Sequence, residues 1–298
     1  MTLSGRQWTI TAGEHTATAV EVGAGLLSYT VGGVDVTCTY GDGVLPPKGC
    51  GTTLVPWPNR LAGGRYVFDG QTQQLALTEP DAGNAIHGLG RWARWTPVRQ
   101  EVDLVTLGLD IVPQKGYPFE VRAEVTYNVH PERGLTVSLG ARNTGTVRAP
   151  FGAGSHPYLA TRGHALDEVT LTLPATQGLV VDEHQVPVGV RTLAGDEDYR
   201  AGRVLGPARF DAGFTGLERD GSGHGVAEVR TPSGGARLWC DPAFGYLQVF
   251  TVDEVTAGQP GIAIEPMSAA PNAFNSGDGL VVLDPGAVWT GSWGIQPL

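Results

Sequence analysis

The stretch from Val121 to His130 reads VRAEVTYNVH, with an apolar side chain at every second position: Val121, Ala123, Val125, Tyr127 and Val129. A period of two places these side chains on one face of an extended chain, as in a β-strand with one buried face. The stretch LTVSLGARN, residues 135–143, repeats the pattern after the short loop segment HPERG. The two stretches are therefore predicted to pair as an antiparallel hairpin.

The same alternation recurs along the chain, in residues 105–111 and in EVTLTL from Glu168 onward. The chain contains 44 glycines and 21 prolines, scattered between short apolar runs, and such punctuation is typical of all-β domains. Neither the apolar stripe of a helix nor a repeat of fixed period is visible, and no linker separates two halves. We predict an all-β fold, one large antiparallel β-sandwich, as a single domain over residues 1–298.

The charge balance limits the possible partners. The formal net charge is −10, and nucleic acids and anionic membranes both require a basic face, so neither is an expected partner. The N-terminal sequence MTLSGRQWTI lacks the apolar region of a signal peptide, and no run approaches 18 apolar residues. Cys38, Cys50 and Cys240 are odd in number and widely spaced, which suggests neither a disulfide framework nor a zinc site. We expect a soluble, reduced, cytoplasmic protein, while the oligomeric state is not indicated.

A carboxylate near the C-terminus is a candidate functional residue. Glu265 directly follows the apolar run Ile262 to Ile264 and is followed by Pro266. An ionisable group at the end of a buried strand is costly unless it has a partner or a task. The alternatives at this point are a surface glutamate at a strand end and a functional carboxylate.

Three other segments combine polar, aromatic and turn-forming residues. They are PWPNRLAGG with Asn59 and Arg60, NAIHGLGRWARW with His87, and PFGAGSHPYLA with His156. Each has a structural alternative: a surface ion pair for the arginine, a hydrogen-bonded structural role for each histidine, and simple packing for the two tryptophans.

Several catalytic motifs are absent or incomplete. Ser155 and His156 are neighbours on a predicted strand, so their side chains point to opposite faces and do not form a nucleophile–base pair. The segment GLGRWA from Gly88 fits a dinucleotide-binding glycine pattern, but no helix pattern follows it. No two histidines have a short metal-ligand spacing, although a metal site assembled from distant residues stays open.

Taken together, these segments resemble the aldose 1-epimerase (mutarotase) family, from about Gly13 to the C-terminus. The resemblance is carried in order by six stretches: NR at 59–60, HG at 87–88, SHPY at 155–158, FDAGF at 210–214, LQVFT at 247–251 and AIEPMSAAPNAFNSG from Ala263. No single stretch is specific, but six in this order are. The closing VLDPGAVWTGSWGI also resembles the family's final strands.

The resemblance implies a fold and an activity. The fold is a galactose mutarotase-like supersandwich with a shallow sugar-binding cleft, and the substrate is a small monosaccharide, a free aldohexose. The reaction interconverts the α and β anomers through ring opening and closure by a general base and a general acid, each contributing on the order of 10²–10⁴-fold. It requires no redox cofactor, no metal and no covalent intermediate.

The resemblance also assigns roles to individual residues. Glu265 is the base, His156 is the acid, and His87 assists at the ring oxygen or orients the sugar. We expect burial to raise the pKa of Glu265, and we expect deprotonated Glu265 and protonated His156 to coexist near neutral pH. The substrate-binding residues it implies are Asn59, Arg60, His87, Tyr158, Asp211 and Gln248, with Tyr158 or a tryptophan covering an apolar sugar face.

One departure from the family pattern concerns the choice of sugar. The segment HGLGRWARW replaces the run typical of galactose mutarotases, so the preference between galactose and glucose stays open. Arg91 in this segment is either a surface charge or a residue that reads an acidic or unusual sugar. The alternatives to a mutarotase of free hexoses are a hexose-6-phosphate 1-epimerase and a non-catalytic sugar-binding protein on the same fold.

Overall fold

The structure is a computed structural model that describes residues 2–41, 43–256 and 258–298. Within these ranges the chain consists mainly of strands. In chain order they are β1 Gln7–Ala12, β2 His15–Val20, β3 Leu26–Val31, β4 Val34–Asp35, β5 Thr53–Leu54, β6 Arg60–Ala62, β7 Arg65–Phe68, β8 Gln71–Gln74, β9 Asn84–Ile86, β10 Thr96–Gln100, β11 Leu104–Ile111, β12 Val121–His130, β13 Gly134–Asn143, β14 Ala149–Phe151, β15 Gly154–Ser155, β16 Tyr158–Ala160, β17 Thr170–Thr172, β18 Ala175–Val181, β19 Pro187–Thr192, β20 Arg203–Val204, β21 Asp211–Leu217, β22 Gly225–Thr231, β23 Gly234–Cys240, β24 Tyr246–Thr256, β25 Gln259–Met267, β26 Val281–Leu283 and β27 Val288–Pro297. A four-residue helix, α1, spans Ala273–Ser276, and 3₁₀ turns occupy Pro47–Gly49, Leu166–Glu168 and Gly195–Glu197.

Two large antiparallel sheets dominate the architecture. One has nine strands in the order β10-β11-β12-β13-β27-β23-β22-β17-β20, and the other has the order β19-β18-β21-β24-β25-β15-β5 with β16 also paired to β25. A four-stranded sheet, β1 to β4, and three two-stranded sheets complete the fold. The prediction of an all-β antiparallel sandwich is confirmed.

The predicted hairpin is β12–β13. Val125 lies opposite Leu139, and the buried positions alternate along β12 as the sequence predicts. The strand predicted from Glu168 is shorter than expected, because β17 begins at Thr170. The carboxylate of Glu168 accepts the main-chain N–H of Ala165 at 3.1 Å, which closes the 3₁₀ turn that precedes the strand.

The main hydrophobic core takes side chains from both large sheets. Val125 and Leu139 belong to the nine-stranded sheet, and Val249, Ile262 and Ile264 belong to the eight-stranded one, all of them buried in one cluster. Because side chains alternate along a strand, the even-numbered residues of β24 and the odd-numbered residues of β25 face away from this core. That opposite face of the eight-stranded sheet carries the polar residues singled out in the sequence.

The register of the eight-stranded sheet aligns these polar residues in one row. Gly213 lies opposite Gln248, and Gln248 lies opposite Glu265. On the other side of β25, β15 pairs Gly154 with Met267 and β16 pairs Tyr158 with Ala263. His156 lies in the gap between β15 and β16 and is therefore directly across from Glu265.

The structure contains no helix, among the residues that it describes, with the length and apolar character needed to cross a bilayer. Cys38, Cys50 and Cys240 are free thiols, and all three are buried. Burial raises the pKa of each thiol above its ordinary value, so none has the thiolate character of a reactive cysteine.

Candidate active site

A pocket of about 280 Å³ opens on the polar face of the eight-stranded sheet. Its floor comes from the sheet and includes His156, Asp211, Phe250 and Glu265. Its wall comes from the chain between β4 and β10 and is formed by Lys48, Asn59, Arg60, Thr78, Glu79, Ile86, His87 and Arg91. The pocket thus brings together residues that are far apart in the chain.

His156 and Glu265 form the centre of the floor. The Nε2 atom of His156 lies 3.4 Å from Oε1 of Glu265, and the side chains are only 5% and 2% exposed. Among the described residues, Oε2 of Glu265 and Nδ1 of His156 have no hydrogen-bond partner although both are buried. A buried polar atom without a partner is costly, so these two atoms are candidate contacts for a ligand.

Burial shifts the pKa values of the two groups in opposite directions. It raises the pKa of Glu265 well above its ordinary value, with the negative charge of Asp211 adding to the rise and Arg60 opposing it. Burial lowers the pKa of His156 from 6.5 to about 3, and the positive charge of Arg91 contributes to that decrease. The first shift has the expected direction. The second is opposite to the expectation of a protonated histidine, because desolvation disfavours the charged imidazolium. Burial thus favours the uncharged form of both groups, a protonated Glu265 and a neutral His156.

His87 is held by the backbone of Asn59. The ring Nδ1 of His87 accepts the main-chain N–H of Asn59 at 3.2 Å. The main-chain N–H of His87 donates to the carbonyl oxygen of Asn59 at 2.9 Å. A neutral imidazole that accepts through Nδ1 carries its proton on Nε2. Burial lowers the pKa of His87 well below its ordinary value, so the ring is neutral and acts as a hydrogen-bond donor through Nε2.

The backbone at this contact is unusual. Asn59 and His87 both adopt positive φ angles, 54° and 63°, a region that residues other than glycine rarely occupy. Gly88 follows with φ 70°, and a Cβ atom there would lie 2.1 Å from the carbonyl oxygen of Val55. Strained backbone of this kind clusters at functional sites, and the HG pair of the sequence has a steric explanation.

His87, His156 and Glu265 also satisfy the distance requirement of a metal site assembled from distant residues. One potential ligand atom from each lies within 4.8 Å of the other two. The chemistry of the donor set does not fit, because His87 uses its basic nitrogen to accept the Asn59 N–H and presents a protonated nitrogen instead. The arrangement suits hydrogen bonding to an oxygen-rich ligand better than metal coordination.

Arg60 is neutralised at the pocket wall. Its guanidinium donates to both carboxylate oxygens of Glu79, at 2.9 and 3.0 Å, and to Asp211 at 3.3 Å. Gln248 donates from Nε2 to the other oxygen of Asp211 at 2.7 Å. Arg60 thus combines the ion-pair role that the sequence left open with a place in the predicted site, while the carboxylate of Asp211 remains partly exposed to the pocket.

Two predicted substrate contacts require correction. Tyr158 is fully buried and is not part of the pocket surface; its ring stacks on His156 at 5.1 Å and its hydroxyl donates to the carbonyl of Lys48 at 3.2 Å. Gln248 lies beside the pocket and holds Asp211 rather than facing the cavity. Both share a face with the site residues, as periodicity requires, but each is covered by a neighbour. The aromatic side chain that does line the pocket is Phe250.

The sequence interpretation missed Phe250, Glu79 and Lys48. Phe250 had a signal, since it lies two residues after Gln248 on the same face of β24. Glu79 and Lys48 had none, because they belong to irregular segments whose path the pattern does not predict. Asn59 does line the pocket, and its side-chain oxygen accepts the N–H of Arg60 at 2.8 Å, which leaves its NH₂ group to donate to a ligand.

Comparison with known proteins identifies the family. Residues 6–296 match the sequence model of the family described as aldose 1-epimerase. The uncharacterized protein YihR of Escherichia coli K12 is 34% identical over 290 residues, covering 96% of this chain and 91% of that protein. The aldose 1-epimerase of the same organism is 28% identical over 163 residues, covering 52% of this chain and 46% of that protein.

Solved structures agree on the fold. A galactose mutarotase-like protein from Clostridium acetobutylicum superposes with a TM-score of 0.87 at 18% identity, covering all of this chain and 97% of that one. The GalM/aldose epimerase homologue from C. elegans gives 0.85 at 18% identity, covering 98% and 99%. The fold is that of the galactose mutarotase-like β-sandwiches. Within that class, the chain belongs to the aldose 1-epimerase family.

Proposed function

We propose that this protein is an aldose 1-epimerase that interconverts the α and β anomers of an aldohexose. The observation that carries the proposal is the 3.4 Å approach of His156 to Glu265 at the floor of a pocket. The two oxygens that must exchange protons during ring opening, O1 and O5, are bonded to the same carbon of the sugar. An acid and a base at adjacent positions fit such a pair of oxygens.

In the proposed reaction Glu265 takes the proton of the C1 hydroxyl while His156 delivers a proton to O5. The C1–O5 bond breaks, its electron pair goes to O5, and C1 becomes an aldehyde carbon. Rotation about the C1–C2 bond turns the other face of the aldehyde toward O5. Closure reverses both proton transfers, so atoms and protons balance over the cycle and the product is the opposite anomer.

This step needs the proton on His156 and a charged Glu265, whereas the burial of both groups favours the reverse. The pair holds one proton in either arrangement, so transfer within the pair over 3.4 Å suffices and no solvent proton is required. The unpartnered Oε2 of Glu265 is the atom that sugar hydroxyls would approach. Hydrogen bonds donated to a carboxylate favour its charged form, so a bound sugar would favour the reactive arrangement.

The remaining pocket residues would hold the sugar. His87 supplies a donor at the ring oxygen or at a hydroxyl, and Asn59 supplies an amide donor. Asp211 accepts from hydroxyls, and Arg60 fixes Asp211 in place. Phe250 offers an apolar surface to the carbon face of the ring. With three buried free thiols, the chain is suited to a reducing cytoplasm, where we place its role in carbohydrate metabolism.

Polarimetry tests the proposal. Freshly dissolved α-glucose and α-galactose relax to their anomeric equilibrium, and the protein should accelerate the relaxation of at least one aldose. Glu265→Gln keeps the shape of the protonated glutamate but does not act as a base, so it should lower the rate by about 10²–10⁴-fold. Full activity in this variant would refute the assignment of the base. Sugar binding in calorimetry without faster relaxation would instead identify a non-catalytic binding protein.

A further inference from the structure

Arg91 stands apart from the other charged residues of the pocket. Arg60 is engaged by Glu79 and Asp211, whereas Arg91 has no acidic side chain within ion-pair distance among the described residues. Its Nε atom is buried and has no hydrogen-bond partner there. A guanidinium N–H that is removed from water without an acceptor is costly, and an anionic ligand would remove that cost.

The surroundings of Arg91 do not fit a surface charge. The residue is partly buried and lines the pocket, and its guanidinium lies over the ring of Trp92, 5.1 Å from the centroid. Stacking on an aromatic face fixes the plane of a guanidinium and leaves its edge free to donate to an oxyanion. The pocket therefore presents a preoriented cation without an ion-pair partner among the described residues, with the charge of Glu79 acting on it only from a greater distance.

The position of Arg91 relative to the reacting atoms indicates where on the sugar an anion would lie. His87, four residues before Arg91 in the chain, has its ring centroid 5.4 Å from that of His156. The positive charge of Arg91 acts on both histidines, whereas Arg60 acts on His87 and Glu265 and contacts Asp211, the other charge that acts on Glu265. In the proposed reaction Glu265 meets O1 and His156 meets O5. The next atom round the ring from O5 is C5, which carries C6, so the C6 substituent lies on the side of Arg91.

We infer that the physiological substrate of this site is an aldohexose with an anionic group on C6, bound by the guanidinium of Arg91. The inference rests on the proposed function, since it uses the placement of O1 and O5 that the reaction requires. Lys48 at the rim is a second cation without an ion-pair partner among the described residues, and it adds to the attraction. Carboxylate, sulfonate and phosphate all present the oxygen pair that an arginine binds, so the shared chemistry is an oxyanion.

Arg91 attracts an anionic sugar although the chain is acidic overall, because its charge lies in the pocket and has no ion-pair partner among the described residues. The formal net charge of −10 would repel anions at long range, but salt screens distant surface charges over about 8–10 Å. The sequence shows no obvious cluster of arginine and lysine near any one of the site motifs. The structure nevertheless brings Lys48, Arg60 and Arg91 into one pocket from separate segments.

Exchange spectroscopy by NMR tests this inference, because it measures anomer exchange at equilibrium for any reducing sugar. The substrates are glucose and its analogues with a carboxylate, a sulfonate or a phosphate on C6. The wild-type protein should exchange at least one anionic sugar with a kcat/KM about tenfold or more above that for glucose. The preferred anion identifies the source of the substrate: a uronic acid, a sugar sulfonate or a sugar phosphate.

Variants of Arg91 assign the preference to this residue. Arg91→Gln should lower kcat/KM for the preferred anionic sugar by about 10- to 100-fold more than it lowers that for glucose, and Arg91→Lys should retain part of the preference. Arg94→Gln is the matched control, because Arg94 is exposed and paired with Glu21 at 2.8 Å, and it should leave both rates unchanged.

Two results would overturn the inference: glucose exchanged at least as well as all three anionic sugars, or equal losses for neutral and anionic sugars in Arg91→Gln. Exchange of glucose alone would leave the epimerase proposal intact. Absence of exchange for every sugar would refute the epimerase proposal itself, so the two failures are distinguishable.

Discussion

His156 and Glu265 lie directly opposite each other at one level of the eight-stranded sheet, with Nε2 and Oε1 3.4 Å apart. The level is defined by the pairs on either side, Gly154 with Met267 and Tyr158 with Ala263. Side chains of residues opposite each other on neighbouring strands project from the same face. The imidazole and the carboxylate therefore meet because of the register that β15 and β16 impose on either side of His156.

The pH dependence of activity follows from the opposite shifts of this pair. Burial lowers the pKa of His156 to about 3 and raises that of Glu265 well above 4.5, so the pair holds one proton throughout the range between. Activity should fall as the pH drops toward the lower value, where a second proton binds, and as the pH rises through the upper value, where the last proton leaves. We expect the level region of kcat/KM to extend to higher pH than it would for groups with ordinary pKa values, which would give a decline above about pH 6.5. A pH profile of anomer exchange measures this difference.

The same burial should make the carboxyl group of Glu265 destabilise the folded protein at neutral pH. A carboxyl group whose folded-state pKa is raised contributes most stability below its unfolded pKa, and that contribution is lost as the pH rises through the folded value. Glu265→Gln removes this titration. Thermal unfolding should therefore show a higher Tm for the variant than for the wild type at about pH 7.5, with a gap that narrows toward pH 4. Glu183→Gln, at an exposed position, is the matched control for the loss of one carboxylate. A constant gap for Glu265→Gln would contradict the burial argument.

Gly88 supports the position of His87. Gly83 and Gly88 have similar positive φ angles, 72° and 70°, but only Gly88 approaches another backbone, with an ideal Cβ 2.1 Å from the Val55 oxygen. Gly83→Ala should lower the free energy of unfolding by about 1–2 kcal/mol, because of the backbone conformation alone. Gly88→Ala should cost about 1–3 kcal/mol more and should lower activity, because the clash displaces His87. Denaturant unfolding compares the two, and equal losses of stability would refute the steric role.

Tyr158 is predicted to position His156 rather than to bind sugar. Its ring stacks on the imidazole with an interplanar angle of 13°. Tyr158→Phe keeps the ring and should retain kcat and KM within about twofold. Tyr158→Leu removes the stacking surface and should lower kcat by about tenfold or more with little change in KM. Steady-state kinetics separate the roles, since a sugar-binding tyrosine would raise KM in both variants.

The fold follows from the sequence to the extent that local periodicity determines it. The alternation in β12 and β13 predicts both strands and the side that each buries. The alternation in EVTLTL does not predict the 3₁₀ turn at Glu168, which depends on one hydrogen bond to Ala165. That residues 1–298 form one domain stays a prediction.

The sequence predicts which residues belong to the candidate site, and this stays a prediction; it does not predict how they are arranged. His156 and Glu265 are separated by several strands in the chain, and only sheet register places them together. Strand periodicity predicts the face of the sheet on which Tyr158 lies. It does not predict that the ring is buried, because burial depends on the path of the segment around Lys48. The ion pair between Arg60 and Glu79 was likewise not predictable from the sequence, because Glu79 lies in an irregular segment.

The central claim is that Glu265 and His156 act as one proton-transfer unit, and a double-mutant cycle tests it most directly. Glu265→Gln and His156→Gln should each lower the enzyme-catalysed rate of anomer exchange by about 10²–10⁴-fold. Groups that act as a unit show strongly non-additive effects, so the double variant should be no more than about tenfold slower than the slower single variant. Losses that multiply in the double variant would contradict the shared-proton account.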